Sequence, residues 1–307
     1  MYQIGEEEIS AVRRVIESRQ LFRYSMGGSE TETAQMEKEW AEKVGAKYCI
    51  GVTSGTASLI CGLAGMGIGT GDEVIVPGYT FIASALAILA VGGIPVIAEV
   101  DESLTLDPAD VERKITPRTK AILPVHMVGL PCNMDALTAI ARKHNLKILE
   151  DACQADGGSY KNKRLGTIGD AGGFSFNFFK IISCGDGGAL VTDNLELYER
   201  ALIQHDGGCV FFRDPEAALR TPFFAGWAFR MNEILSAIVR VQIRRLDDIL
   251  GALRAENAAM RAELEQIRGI RMNPINDIKG DCGTTMAILF DTVEQSNAFM
   301  CAMAEQG

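Results

Sequence analysis

YCIGVTSGTASLICGLAGMGIGTGDEVIV, residues 48–76, reads as a strand, a helix and a second strand. Tyr48–Val52 and Glu73–Val76 are short apolar runs bounded by turn residues, and Thr56–Met66 repeats its apolar residues at helical spacing. Runs of that length punctuated by glycine favour strands. The alternation continues with strand candidates Pro95–Ala98, Ala121–Val125 and Lys147–Leu149. Helical spacing between them covers Thr80–Val91, Pro108–Lys114 and Met134–His144. Strands alternating with helices imply βαβ units and a mostly parallel sheet. Nearly continuous apolar strands fit burial on both faces. The class is α/β.

After Asp151 glycine becomes frequent, and two short strands are expected to flank Lys180. An amphipathic helical pattern then runs from Met231 to about Glu265, followed by a strand near Thr285–Phe290 and a helix near Glu294–Glu305. The division is expected inside the long helix: residues 1–245 as a large α/β domain, 246–307 as part of a smaller one.

Composition narrows the function classes. The chain has 307 residues, 47% hydrophobic and 23% charged, the balance of an ordinary globular protein. Its net charge of -10 and lack of a Lys/Arg block argue against a nucleic-acid surface. Eight scattered cysteines, Cys209 among them, form no CxxC pair, and there are only three histidines. A zinc site of usual spacing is not expected, and the thiols suit a reducing, cytoplasmic compartment. Phe81–Ala98 is long and apolar, yet Gly92, Gly93 and Pro95 interrupt it, so it reads as helix, turn and strand instead of a membrane span.

The chemistry-bearing stretches are LEDACQA (Leu149–Ala155) and FSFNFFKIISCGDGGALVTD (Phe174–Asp193). Asp151 ends a strand, where open α/β sheets bind ligands. Lys180 lies among Phe174, Phe176, Phe178, Phe179 and Ile181, surroundings expected to favour the neutral, nucleophilic amine. Such a lysine can condense with a carbonyl cofactor while a carboxylate holds a ring nitrogen. Either residue alone reads as readily as a surface lysine or a helix cap. TSGTASL (Thr53–Leu59) follows a strand and opens a helix, so its N–H groups and hydroxyls form either a phosphate cradle or an ordinary N-cap.

The ordered set SGTASL, PGYTF, EDACQA, FSFNFFK, CGDGGA and FRMNEILSAI resembles the DegT/StrS-type sugar aminotransferases, fold-type-I enzymes that use pyridoxal phosphate. ITPRTKAI, VHMVG, KHNL, GGSYK and LGTIGD look in particular like the 8-amino-3,8-dideoxy-octulosonate aminotransferase subgroup. The resemblance implies that Lys180 is the Schiff-base lysine and that Asp151 keeps the pyridine nitrogen protonated. Gln154 would lie against the ring face or its phenolic oxygen, Phe81 would stack on the ring, and Gly55, Thr56 and Ser175 would hold the phosphate. Arg230 matches an arginine that helps bind substrate in some members. The family implies a homodimer taking a keto sugar, nucleotide-linked or an octulosonate, with glutamate or glutamine as donor.

Two departures stand out. Ala228 replaces an asparagine that reaches the phosphate from the partner subunit in family members, and the chain stops at Gly307, where relatives continue. Both keep open a non-catalytic, regulatory reading; a dehydratase of the same fold is disfavoured because that branch has histidine in place of Lys180. His126 is expected to be a hydrogen-bonded core residue, His205–Asp206 a polar loop, and Cys153 packing. Trp227 and Phe229 suit either the site or a dimer interface.

Overall fold

The computed structural model describes residues 4–24, 30–208 and 219–306; Cys209 lies outside them. In chain order the elements are α1 (Glu6–Ser18), α2 (Glu32–Val44), β1 (Tyr48–Val52), α3 (Gly55–Gly65), β2 (Glu73–Pro77), α4 (Ala83–Ala90) and β3 (Ile94–Ala98). There follow α5 (Pro108–Lys114), β4 (Thr119–Ile122), α6 (Met134–His144), β5 (Lys147–Asp151), β6 (Ser159–Tyr160), β7 (Lys163–Arg164), β8 (Ala171–Ser175) and β9 (Gly188–Thr192). The last are α7 (Leu195–His205), α8 (Glu233–Leu264), β10 (Arg271–Met272), β11 (Ile288–Leu289) and α9 (Val293–Gln306).

Local chemistry sets many of these boundaries. Thr31, Ser54, Asn133, Asn194 and Asn232 each accept, through the side chain, an N–H in the first turn of the helix that follows. Pro108 opens α5 behind the cap Asp107. The expected strand over Ala121–Val125 starts and ends earlier, at Thr119–Ile122, because Pro124 interrupts the ladder; Val125 makes an isolated bridge to Asp151. The apolar Phe81–Ala98 stretch contains α4, a turn and β3. Among the described residues, no helix is long and apolar enough to cross a membrane.

The main sheet runs β1-β9-β8-β5-β4-β2-β3. Its β8–β5–β4–β2–β3 pairings are parallel, while β9 runs antiparallel to both β1 and β8. Period-two alternation sends Val74, Val76, Leu149 and Leu190 to one face, where they join residues of α3, α4 and α7. Ile75, Ile148 and Val191 point the other way, toward Trp40, Leu137, Leu246 and Leu250 of α2, α6 and α8. Trp40 meets Phe174 and Phe176 edge-on, with centroids 5.0 and 5.2 Å apart. The result is a three-layer α/β/α body with β5, β8 and β9 near its middle.

α8 leaves that body. Its buried residues stop at Leu250, although the helix continues to Leu264. The chain then returns across the large body: Cys282 N–H donates to Gly129 at 3.2 Å, and Ser159 N–H donates to Gly280 at 2.9 Å. The strand expected near Thr285–Phe290 is only Ile288–Leu289, paired with β10.

α3 sits close to the strand ends. A Cβ at Gly188 would lie 2.6 Å from the Ser54 carbonyl group and from the Phe174 carbonyl oxygen, all backbone. Gly188→Ala is therefore expected to destabilise the fold by about 1–3 kcal/mol, the usual cost of overpacking. Urea unfolding monitored by circular dichroism checks this; an unchanged midpoint would contradict the close approach.

Candidate active site

The βαβ order directs the C-terminal ends of the parallel strands to one edge of the sheet, and the predicted residues gather there. Asp151, the last residue of β5, is 4% exposed. Its Oδ2 accepts the Ser84 hydroxyl at 2.7 Å, and its Oδ1 accepts the Cys153 N–H at 3.1 Å. Ser84 is in turn within 2.8 Å of the Thr80 hydroxyl and 3.2 Å of the Phe81 carbonyl. This places PGYTF beside the carboxylate. Phe81 itself is 65% exposed, leaving its ring free to cover a flat ligand.

Gly55, Cys153 and Ser175 form a second corner. A Cβ on Gly55 would stand 2.7 Å from Ser175 Cβ and 2.8 Å from Cys153 Sγ, so only glycine lets the start of α3 approach β8. Ser54 caps α3 by accepting from Ala57 N–H. The N–H groups of Gly55 and Thr56 meet no backbone acceptor among the described residues and open toward the strand ends. Amides at a helix start suit a phosphate through both hydrogen bonding and the helix dipole.

Gln154 and Lys180 face a cavity of about 790 Å³, with Val128, Asp248, Thr284 and Thr285 also in its wall. The Gln154 Oε1 accepts the Val128 N–H at 3.3 Å. Lys180 is half-buried in the β8–β9 connection, and its N–H donates to the Asn177 carbonyl at 3.0 Å. The apolar enclosure expected around it is not formed. Phe174 and Phe176 are buried in the core on the Trp40 side, whereas Phe178 and Phe179 are 56% and 85% exposed. Phe178 and Phe179 lie past the end of β8, in the connection to β9, where the core no longer covers them.

Arg230 lies at the other margin of the site. Val52 bridges to Arg230, and Thr53 N–H donates to Phe229, so the 229–230 segment runs beside the start of α3. The Arg230 guanidinium pairs with Asp206 at 2.6 Å and sits over the Phe22 ring. Ala228, exposed, bridges to Asp206. His205 and Asp206 do not form a polar loop: both are buried, His205 at the end of α7 with Nδ1 2.7 Å from the Leu202 carbonyl. Burial, the positive charge of Arg23 and that of Arg230 hold the His205 imidazole neutral. Trp227 is 63% exposed, while Phe229 packs against the core.

His126 is a core histidine. Its Nδ1 accepts the Cys132 N–H at 3.1 Å, so the proton is on Nε2, 3.0 Å from Glu150. Glu150 also accepts the N–H groups of Gly166, Ile168 and Gly169, tying the loop before β8 to β5. Burial and the neighbouring Asp151 push the Cys153 thiol well up, away from the reactive thiolate. The described cysteines are all free, and no metal-binding cluster occurs among the described residues.

Three participants escaped sequence reading: Ser84, Glu150 and Asp156. Ser84 is an ordinary serine in an apolar helix; only the fold sets it against Asp151. Asp156 is fully buried, with neither carboxylate oxygen hydrogen-bonded. Burial raises its pKa well above that of an ordinary carboxylic acid, and Lys180 draws it back down.

A family model described as the DegT/DnrJ/EryC1/StrS aminotransferase family matches residues 2–307. The chain belongs to that family. It is 39% identical over 298 residues, 96% of this chain and 77% of the relative, to the dTDP-3-amino-3,6-dideoxy-alpha-D-galactopyranose transaminase of Aneurinibacillus thermoaerophilus. The GDP-perosamine synthase of Caulobacter vibrioides is 41% identical over 219 residues, 71% of this chain but only 58% of that enzyme. The solved 3-amino-5-hydroxybenzoic acid synthase superposes with a TM-score of 0.86 at 34% identity, covering 99% of this chain and 79% of that one. The enzyme is thus a pyridoxal-phosphate-dependent aminotransferase. The residues present fit that cofactor: a buried carboxylate ends β5, glycine leaves the start of α3 open, and an exposed ring lies between them.

Ser84 donates to a buried carboxylate, so its loss should matter beyond packing. Ser84→Ala is expected to cost about 1.5–3 kcal/mol of cofactor binding, the worth of a hydrogen bond to a charged group. Equilibrium dialysis against pyridoxal phosphate measures it; an unaltered affinity would show that Ser84 does not orient Asp151.

Proposed function

We propose that this aminotransferase moves an amino group from glutamate or glutamine to a keto sugar, nucleotide-linked or an octulosonate, with Lys180 and Asp151 as its catalytic residues. One observation supports this above the others: Asp151, the Gly55–Ser175 corner and the Lys180 connection converge at a single sheet edge. Bound there, pyridoxal phosphate supplies an electron-accepting ring. Asp151 holds a proton on the ring nitrogen, while Lys180 retains the cofactor and, once displaced, moves a proton at the substrate carbon. Gly55, Thr56 and Ser175 would hold the phosphate, Phe81 would cover the ring, and Gln154 would meet the ring face or its phenolic oxygen. Arg230, positioned by Asp206, binds substrate from the margin.

The keto-sugar assignment is supported by the relatives named above and by Asp248, Thr284 and Thr285 in the cavity wall, which offer partners to hydroxyl groups. A homodimer is supported by family resemblance and by large apolar side chains left exposed, among them Ile82, Phe179, Phe223 and Trp227. We place the enzyme in the cytoplasm. We also divide the chain at residue 245 into a cofactor domain (1–245) and part of a smaller domain (246–307), because α8 buries its side chains only up to Leu250.

Purified protein mixed with pyridoxal phosphate is expected to develop a visible absorbance band that borohydride fixes on Lys180 and glutamate or glutamine bleaches. Lys180→Ala should lower transamination by at least about 10²–10⁴-fold, the range of positioned proton transfer; an unchanged rate would remove Lys180 from its role. Ala228→Asn restores a phosphate donor from across the dimer and is expected to tighten cofactor binding by about 1.5–3 kcal/mol. No gain in affinity for a variant that is dimeric by light scattering would show that this position does not face the phosphate.

A further inference from the structure

Val128, in the turn that follows β4, sits at a φ of +47° and a ψ of 32°. Left-handed backbone is unfavourable for a residue with a Cβ, and most of all for a branched one. Of the non-glycine residues described at positive φ, Val128 is the β-branched one, so its surroundings must enforce the conformation. Leu130 N–H donates to the Met127 carbonyl at 2.9 Å and Gly129 N–H to that of His126 at 3.3 Å, closing the turn from within. From outside, Cys282 N–H donates to the Gly129 carbonyl at 3.2 Å. The returning C-terminal segment lies directly on the turn: a Cβ at Gly129 would stand 2.7 Å from Cys282 Cβ and 2.8 Å from Thr284 Oγ1.

Both backbone polar groups of Val128 are engaged. Thr284 Oγ1 donates to its carbonyl at 2.6 Å, and its N–H donates to Gln154 Oε1 at 3.3 Å. Helical backbone of either hand points the N–H and C=O of one residue in opposite directions, whereas extended backbone points them the same way. The left-handed conformation is thus what lets one residue connect Thr284 with Gln154. All three line the cavity that Lys180 faces. A backbone N–H can only donate, so the end of the Gln154 amide that meets Val128 is the oxygen. The amide nitrogen is then 3.4 Å from the Met127 thioether, a weak acceptor, and keeps donor capacity for a ligand in the cavity.

We propose that Thr284 is a positioning residue: by holding the Val128 carbonyl it keeps the turn left-handed, and the turn fixes the orientation of the Gln154 amide in the cavity wall. This rests on the reading of Gln154 as the side chain that meets the cofactor ring or its phenolic oxygen. Without the hydroxyl, Val128 is free to relax toward right-handed or extended backbone, and its N–H turns away from Gln154. The Gln154 side chain, released, then turns about its own bonds. Thr285 is the natural control, since it shares the cavity wall but is held through its backbone carbonyl, which accepts from Asn257 at 3.0 Å.

Nuclear magnetic resonance of the cofactor-free chain with ¹⁵N-labelled glutamine tests this without turnover. The Gln154 side-chain amide is identified by its loss in Gln154→Ala. Thr284→Val, which keeps the shape and removes the hydroxyl, should move that resonance; Thr284→Ser should leave it near its wild-type place, as should Thr285→Val. An amide unmoved by Thr284→Val, displaced as much by Thr284→Ser, or displaced as much by Thr285→Val overturns the proposal. Equilibrium dialysis against pyridoxal phosphate reads the consequence. Thr284→Val should weaken cofactor binding about 2–10-fold, the worth of one neutral hydrogen bond, and should cost far less in a Gln154→Ala background. If the amide moves but affinity changes in neither background, the connection through Val128 stands and the role of Gln154 at the cofactor fails. Equal losses in both backgrounds would show that Thr284 does not act through Gln154, which overturns the proposal.

Discussion

The approach of α3 to the ends of β8 and β9 is the constraint on which the site depends. Side chains at Gly55 or Gly188 would collide with Ser175, Cys153 or backbone atoms within 3 Å, and one at Gly173 would meet Ser58. Because those positions lack a Cβ, the first turn of α3 comes down onto the end of β8, beside Ser175 and Cys153. Moving the helix outward by the width of a methyl group would separate the phosphate cradle from the carboxylate. The core clusters on both faces of the sheet hold that spacing, since a close-packed interior transmits displacement instead of absorbing it.

Around this scaffold, polar groups are distributed by what each must avoid. Asp151 is buried but accepts two hydrogen bonds. Glu150, one residue earlier and on the opposite face, accepts three backbone N–H groups and meets His126; it braces the loop leading to β8. Neighbouring acids thus take opposite tasks because strand alternation points them to opposite faces. Asp156, past the strand, accepts no hydrogen bond at all.

The returning C-terminal segment joins this arrangement from outside. Asn276 reaches Ser103, Thr105 and the Pro131 carbonyl, and Thr284 donates to Val128. These contacts bring Thr284 and Thr285 into the cavity that Lys180 faces, so residues past the long helix help to line it.

The α/β class and most of the elements between Tyr48 and Asp151 were legible in the sequence, because period and strand-end placement are local properties, while α1, α2 and α7 were not foreseen; the roles of Gln154, Gly55, Thr56 and Ser175 came from family resemblance. Asp151 and Lys180 could be recognised as chemistry since few other roles need that pair in that order. The environment of each side chain was not legible. The phenylalanines near Lys180 looked like an enclosure, yet Phe174 and Phe176 enter the core while Phe178 and Phe179, past the end of β8, stay exposed. His205 and Asp206 looked like a loop, yet α7 and the 228–230 segment bury them. Ser84 has no local signature at all; its partner Asp151 stands 67 residues away. Burial and charge coupling are sums over neighbours that are distant in the chain, and only the tertiary structure decides who those neighbours are.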